Sequence, residues 1–296
     1  MPLAPMPSPL SSPILTGATA TAPTLALQPN PLLSVIIPSY NNLEKLILCL
    51  KSLVATAQEH GKAGQLEIIV QDDCSPFKVT DIIGPPASVM VNERNLGFAG
   101  NCNAGAARSH GDILLFLNQD TKARPGWFEP LVRMFDDLAV GIAGPKLIFY
   151  QVVITESPNI KATMIESIQS CGGLYGGNKG PYHRYLGYAA DDWRVNIQER
   201  VSWTTGAALA IRRELFFRVG GFDTAYERGY FEDVDLCEKV KTLGCQVWYQ
   251  PESVFEHSVG STGGVAPEIF KANSMLFHSR WDAAIVPDSP IAHVNY

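Results

Sequence analysis

Short apolar runs alternate with helically spaced stripes along the chain. Leu32–Ile37 is an apolar run that stops at Pro38, and Leu43, Leu46, Ile47, Leu50 and Leu53 then recur at helical spacing through Leu43–Val54. That order predicts strand, loop, helix. Leu66–Val70 predicts a second strand running into Gln71-Asp72-Asp73, and Ser88–Val91 a third before Asn92-Glu93-Arg94-Asn95. Asn101–Arg108 has the small residues of a closely packed helix, and Ile113–Leu117 is a fourth strand leading into Asn118-Gln119-Asp120. Strands alternating with helices predict an α/β fold with a mostly parallel, Rossmann-like sheet and helices on both faces.

Further along, the pattern predicts a helix over Pro125–Leu138, a strand over Val140–Tyr150, a strand over Val201–Ile211, a helix over Glu214–Val219 and a short strand over Gln246–Tyr249. Residues 151–198 read as irregular, rich in Gly and Tyr. Their run Cys171-Gly172-Gly173-Leu174-Tyr175-Gly176-Gly177 follows no strand and opens no helix, so it reads as a mobile loop over a site, not a dinucleotide fingerprint. From Pro267, Phe270, Phe277 and Trp281 have helical spacing, which predicts a helical tail over 265–296 packed on its own domain. Docking on a membrane surface and self-association into a homo-oligomer are the alternatives.

Composition narrows the class. A chain of 296 residues can bury a core as one large domain, and 32–264 reads as one compact unit. The net charge of −6 argues against nucleic acid as the main partner and against broad attraction to anionic lipid. The six cysteines form no Cys-x-x-Cys pair, which points to buried free thiols in a reducing, cytoplasmic compartment and away from structural zinc or disulfides. There is no run of about 18 apolar residues to span a membrane. Residues 1–31 are rich in Pro, Ala, Ser, Thr and Leu and carry no charge. Pro2, Pro5, Pro7, Pro9 and Pro13 interrupt them and no Lys or Arg precedes them, so the segment reads as a disordered extension and not as a signal peptide, with a docking segment for a partner as the alternative.

The densest chemistry is Glu232-Asp233-Val234-Asp235, three acids ahead of the apolar stripe Leu236, Val240, Leu243. That places them in the first turn of a helix, where the macrodipole and free amides favour anions. Neighbours on a helix diverge by about 100°, so Glu232 and Asp233 cannot grip one bond together; one faces a pocket while the other holds the scaffold. The polar clusters after the predicted strands share the carboxyl edge of the sheet, where open α/β sheets bind ligands. Asn118 and Asp120 alternate onto one side. One carboxylate with an amide neighbour is adequate for Mn2+ or Mg2+, which completes its shell with phosphate oxygens and water. His257 offers an imidazole that favours Mn2+, or else is structural. Asp72 fits a nucleobase imide or caps a turn, with backbone at Pro38–Tyr40 lining the base pocket. Arg94 fits a phosphate or sugar, or a surface ion pair. Trp203, beside Thr204-Thr205-Gly206, fits a sugar ring or the core. A cation-bound diphosphate leaving group beside a carboxylate base describes glycosyl transfer from a nucleotide sugar, with Asp233 taking the acceptor proton and inversion at the anomeric centre.

At these residues the chain resembles the family 2 glycosyltransferases, in particular the rhamnosyltransferase-like branch. The resemblance runs from about Leu33 to Gly264 through Val35-Ile36-Ile37-Pro38-Ser39-Tyr40-Asn41, Val70-Gln71-Asp72, Asn95-Leu96-Gly97-Phe98-Ala99-Gly100 and Leu117-Asn118-Gln119-Asp120-Thr121. It continues through Gly144-Pro145-Lys146, Trp203-Thr204-Thr205-Gly206-Ala207, Gly221-Phe222-Asp223 and Phe231-Glu232-Asp233-Val234-Asp235-Leu236. Each motif is weak alone; their collinear order is specific. The resemblance implies a GT-A fold with a nucleotide-sugar half over 32–125 and an acceptor half over 126–264. It implies an inverting transfer and a divalent cation, Mn2+ or Mg2+. It makes Asp72 the base-binding acid, Asn118 and Asp120 an Asp-x-Asp-like metal motif with His257 as a further metal ligand, and Asp233 the catalytic base. Pro38, Tyr40, Arg94, Asn95, Gly97 and Asn103 become donor-site residues, and Trp203, Thr204 and Glu232 acceptor contacts.

This chain departs from the pattern at Asn118, which replaces an acid, at Asp73-Cys74, where Asn-Gly is usual, and at Asn101-Cys102. Residues 1–31 and 151–165 have no counterpart. The expected donor is dTDP-rhamnose, then a UDP-hexose, and the expected acceptor a glycan or glycolipid hydroxyl in surface-polysaccharide synthesis at the inner membrane face. A catalytically inactive sugar-nucleotide-binding scaffold is the alternative, opposed by the joint presence of Glu232, Asp233, Asp120 and His257. A glycoside hydrolase would leave the phosphate- and metal-type features unused. A nucleotidyltransferase would need a glycine-rich loop where Pro38-Ser39-Tyr40-Asn41 stands. The whole expectation requires Asp120, His257 and Asp233 to meet at one rim of the sheet.

Overall fold

The computed structural model describes residues 31–59, 61–155, 161–258 and 264–290, and the charge-free segment 1–30 lies outside them. In chain order the elements are β1 (Leu33–Ser39), α1 (Leu43–Glu59), β2 (Leu66–Asp72), β3 (Ala87–Val91), α2 (Gly97–Ala106), β4 (Ile113–Leu117), β5 (Thr121–Ala123), α3 (Phe128–Arg133) and β6 (Val140–Thr155). They continue as β7 (Lys161–Ser170), β8 (Gly173–Tyr175), β9 (Pro181–His183), β10 (Glu199–Arg200), β11 (Ala208–Arg212), α4 (Arg213–Arg218), α5 (Glu232–Thr242), β12 (Gln246–His257) and α6 (Pro267–Trp281).

Strand alternation feeds two cores. Leu33, Val35 and Ile37 of β1 pack with Leu46, Leu50 and Leu53 of α1 and Phe128 and Leu131 of α3. Ile36, one residue out of phase, enters the opposite core with Phe116, with Cys102 of α2, Phe216 of α4, Leu236 of α5 and Phe277 of α6. Burying each such side chain stabilises the fold by about 1.5–3 kcal/mol, which explains why the apolar runs carry the fold's outline. The result is a single α/β domain with helices on both faces of one sheet.

Strand order is β10-β12-β6-β11-β4-β1-β2-β3, with β5 on β12 and β7 on β6. The β4-β1-β2-β3 block is parallel, as the βα pattern requires. Beyond it the sheet is mixed: β11 runs antiparallel to β4 and β6, and β12 parallel to β6. The expected mostly parallel sheet therefore holds for the first half only.

Several boundaries differ from those the sequence predicts, and four of them have a clear physical reason. The helix expected at Asn101 begins at Gly97, because a distant carboxylate, Asp73, accepts from the Leu96 and Gly97 amides. The strand expected to end at Tyr249 runs on to His257. Pro251, which reads as a terminator, sits in an irregularity where register jumps from Gln250 opposite Pro145 to Val254 opposite Lys146. Residues 151–198, expected to be irregular, supply the end of β6 and the strand β7, which lies antiparallel along it. The strand expected over Val201–Ile211 starts only at Ala208, since Trp203 bridges to Gly173 of β8, Thr204 sits on Gly144 of β6 and the chain then turns over Thr205–Ala207.

That turn is fitted closely. Gly144 of β6 lies directly under the Thr204 side chain, and a Cβ there would overlap it. Gly144→Ala is therefore expected to destabilise the protein by about 1–3 kcal/mol through overpacking. A urea midpoint unchanged from wild type would show that the turn can shift freely.

Candidate functional site

The carboxyl end of β4 is tied to that of β1 by a residue the sequence reading passed over. Gln119 is buried; its Oε1 accepts from the Ser39 hydroxyl at 2.9 Å and the Tyr40 amide at 3.2 Å, and its Nε2 donates to the Tyr40 carbonyl at 2.9 Å. Flanking it, Asn118 and Asp120 point away from this tie. β5 then pairs antiparallel with the end of β12, setting His257 opposite Thr121. This register, not sequence proximity, carries the imidazole to Asp120: Nε2 lies 3.0 Å from Asp120 Oδ1 and 3.5 Å from Asn118 Nδ2. On the other side of the ring, Nδ1 lies 2.6 Å from Gln169 Oε1 of β7. An amide oxygen can only accept, so Gln169 selects the tautomer with the proton on Nδ1 and leaves the Nε2 lone pair facing the carboxylate.

Two acceptors 3.0 Å apart call for a proton or a cation between them. Adjacent vertices of an octahedron with bonds of about 2.1 Å are separated by about 3 Å, so the pair fits cis positions around Mg2+ or Mn2+. Outer hydrogen bonds of the Gln169 kind are what orient metal-binding imidazoles. Among the described residues no group of three or more His, Cys, Asp or Glu is arranged to hold a metal ion. Asp120 and His257 alone suit a cation whose remaining positions are filled by phosphate oxygens and water.

The acidic corner stands at the start of α5. Glu232 is buried, and its Oε2 has no hydrogen-bond partner among the described residues. Burial pushes this carboxyl well above the usual glutamate range, and the neighbouring Asp233 charge adds to the shift. Asp233 is half-buried and better supported: Oδ2 accepts from the Gly206 amide and Oδ1 from the Val234 amide, each at 2.8 Å. Burial raises its pKa, opposed by those amides and the Thr205 side chain. Both shifts run toward a stronger base. The chain enters α5 through left-handed backbone at Arg228 (φ 61°), Tyr230 (φ 71°) and Phe231 (φ 77°), around Gly229 (φ 131°). Such conformations cost on the order of 1–3 kcal/mol each and persist only where surroundings fix them.

Two hydrogen bonds join the corners. The Asn118 amide donates to Ala207 O at 2.9 Å, and the amide of the preceding turn residue, Gly206, donates to Asp233 at 2.8 Å. The Thr205–Ala207 turn is thus bonded on one side to the end of β4, which carries Asp120, and on the other to Asp233. A depression of about 560 Å3 lined by Glu129, Arg133, Asp137, Gln198, Trp248 and Glu252 lies elsewhere, between α3 and β12.

On the donor side the structure sorts the expected residues. Asp72 is buried, and Ser75 occupies both its oxygens, through its hydroxyl at 2.6 Å and its amide at 2.9 Å; this is the turn-capping geometry. Pro38 is half-buried in β1, while Tyr40 and Arg94 are exposed. Three expectations need correction. Asn103 spends its amide on the Phe222 backbone, donating at 2.8 Å and accepting at 3.0 Å, so it pins α2 to the 221–222 turn and is not a donor contact. The Gly97 amide is taken by Asp73 at 3.0 Å and Asn95 Oδ1 at 3.2 Å, and Asn95 Nδ2 donates to Asp73 O, so both build the helix entrance. Asp73, noted only as a departure from the family pattern, is the residue that organises this entrance.

The acceptor contacts are corrected likewise. Trp203 is 5% exposed, packs on Gly173 and the His183 ring, and donates from Nε1 to Leu174 O at 3.1 Å. No face is open for a sugar, and core packing prevails. Thr204 is buried against Gly144. Its neighbour Thr205 is the turn residue that reaches Asp233.

The family model "Glycosyl transferase family 2" matches residues 34–221. Among curated relatives, an uncharacterised protein of Sinorhizobium fredii is 28% identical, covering 80% of this chain and 26% of that one. The pre-mycofactocin glycosyltransferase of Mycobacterium tuberculosis is 29% identical, covering 76% of this chain and 42% of the relative. The chain spans less than half the length of both. The N-acetylglucosaminyl-diphospho-decaprenol L-rhamnosyltransferase of Mycobacterium tuberculosis is 36% identical over 96 residues, 29% of this chain and 31% of the relative. Two solved structures share the fold, which is GT-A. GalNAc-T7 with UDP, GalNAc and Mn2+ superposes with a TM-score of 0.60 at 17% identity, covering 84% of this chain and 51% of that one. The mannosyltransferase PcManGT from Pyrobaculum calidifontis with GDP-Man and Mn2+ gives 0.54 at 18% identity, covering 88% and 73%.

The orphaned Glu232 oxygen gives a stability signature. Its folded pKa is raised, so between the ordinary glutamate range and that raised value the folded state binds more protons than the unfolded one, and stability falls as pH rises through this window. Glu232→Gln is expected to stabilise the protein by about 1–3 kcal/mol at about pH 8, a gain that shrinks toward about pH 5. Urea unfolding at the two pH values measures it; a loss that grows with pH would mean that the charged carboxylate is paired in the fold.

Proposed function

The chain belongs to glycosyl transferase family 2, and we propose that this glycosyltransferase is inverting and cation-dependent, moving a sugar from a nucleotide sugar to a hydroxyl of a glycan or glycolipid. What supports the reading is the contact of Asp120 with His257 at the end of β4, together with the Thr205–Ala207 turn that is bonded both to that strand end and to Asp233.

In this reading Asp233 accepts the proton of the acceptor hydroxyl as that oxygen bonds to the anomeric carbon. The bond from the anomeric carbon to the diphosphate breaks in the same displacement, and the nucleoside diphosphate leaves. The raised pKa of Asp233 suits a base, and the Gly206 and Val234 amides hold the carboxylate in place without neutralising it. Asp120 and His257, with Asn118 beside them, would hold Mn2+ or Mg2+. When bound, such a cation neutralises charge gathering on the leaving diphosphate. The Asp233 charge in turn disfavours ionisation of the buried Glu232 beside it in sequence.

For the nucleotide, Asp72 remains the base contact: each carboxylate oxygen accepts one bond from Ser75 and keeps a further lone pair. Tyr40 and Arg94, both exposed, would contribute to the donor site from the loops after β1 and β3. The short similarity to a rhamnosyltransferase supports dTDP-rhamnose as the first donor, ahead of a UDP-hexose. Among the described residues no helix is long and apolar enough to cross a membrane. A cytoplasmic place at the inner membrane face, with peripheral contact, fits a glycolipid acceptor in surface-polysaccharide synthesis.

A panel of thymidine, uridine and guanosine nucleotide sugars, screened with Mn2+ for thermal stabilisation and nucleoside diphosphate release, tests the reading. Asp233→Asn is expected to keep donor-dependent stabilisation and lose about 100- to 10,000-fold in release rate. Asp120→Ala is expected to lose the part of the stabilisation that requires Mn2+. Full turnover in the first variant, or an unaltered Mn2+ response in the second, would remove that residue from its role.

A further inference from the structure

The left-handed run that delivers Glu232 and Asp233 is gripped from α6, far along the chain and beyond the residues matched by the family. Asn273 is 2% exposed. Its Nδ2 donates to the carbonyls of Glu227 at 3.0 Å, Gly229 at 2.9 Å and Tyr230 at 3.3 Å, and its Oδ1 accepts from the Glu227 amide at 3.2 Å. One side chain thus satisfies four backbone groups of a loop with no helix or sheet ladder of its own. A carboxamide suits this, since one planar group carries two N–H donors beside an acceptor oxygen.

The rest of α6 braces the same loop. Phe270 lies 5.6 Å from the Tyr230 ring and 5.3 Å from the Phe231 ring, and Phe277 lies 5.5 Å from Phe231. Arg280 pairs with Asp223 at 2.8 Å and Asp235 at 3.2 Å, while Trp281 Nε1 donates to Asp235 at 2.9 Å. Phe231 directly precedes Glu232. If its φ relaxed from +77° to the common negative region, the peptide entering α5 would rotate and re-aim Asp233.

We propose that Asn273 is a positioning residue for the reaction, holding Glu227–Phe231 in its left-handed course so that the Asp233 carboxylate stays on the Gly206 amide. This rests on the glycosyltransferase reading above, and the test separates the two. Hydrogen exchange followed by mass spectrometry on the full chain compares wild type, Asn273→Ala and a stability control, Leu53→Ala, from the opposite core. Asn273→Ala is expected to speed exchange across 227–235 by about tenfold or more, with the β4 and β12 peptides unchanged. The Leu53 control leaves 227–235 as in wild type. With dTDP-rhamnose and UDP-glucose in Mn2+, kcat for nucleoside diphosphate release is expected to fall about 10- to 100-fold while the donor KM stays within about twofold. Unchanged exchange in 227–235 overturns the proposal, and so does faster exchange with unchanged kcat. If wild type releases nothing from either donor, the functional reading falls and the exchange comparison alone decides the grip. Should the alanine variant fail to fold, Asn273→Ser, which keeps one donor, is expected to give intermediate exchange, and wild-type exchange there overturns the proposal equally.

Discussion

The hydrogen bond from the Gly206 amide to Asp233 joins elements that have no covalent reason to meet. On one side stands α5 with its buried acids; on the other stands the turn that leads into β11, whose Ala207 carbonyl receives the Asn118 amide at the end of β4. Two adjacent residues of the turn therefore link the Asp233 carboxylate to the strand end that carries Asp120. Close packing enforces the link, since Thr204 sits directly on Gly144 and Trp203 on Gly173. Where a side chain has room to drift by an ångström, orientation for reaction is lost; this turn has no such room.

The acidic corner shows what the geometry costs. A carboxylate without a partner in a low-dielectric setting is unfavourable, and Glu232 has an oxygen in that condition beside a second acid. The backbone that carries it runs through three left-handed non-glycine residues. These liabilities sit at the segment where chemistry is expected, while the β4-β1-β2-β3 block behind it is regular and apolar. Stability resides in the block, and strain is concentrated where a carboxylate must remain basic.

Much of the fold was legible because apolar periodicity reports burial directly. Strands β1 to β4 and helices α1 and α5 follow from runs and stripes such as Val35-Ile36-Ile37 and Leu236, Val240, Leu243. What stayed hidden depended on partners remote in sequence. The start of α2 is set by Asp73, and β7, rich in Thr, Ser and Gln, declares itself only when laid along β6. In the site, Asp120, His257 and Asp233 could be nominated by residue type. Gln169 and Asn273 could not, since nothing local distinguishes an amide that serves an imidazole or a loop from one that faces water. Trp203 misled for the complementary reason: an indole reads the same whether it meets a sugar or the core, and here Gly173 and His183 cover it.

Parity governs the far end of β12. Side chains alternate between faces of a sheet, so the three residues Pro251, Glu252 and Ser253, looped out between Gln250 and Val254, decide by their number which way His257 looks. Loss or gain of a single residue there, if the end of β12 shifted by one position against β6 and β5 to absorb it, would turn the imidazole to the opposite side, away from Asp120. Length variation in this protein can thus be harmless in a surface connection and disabling within one short bulge.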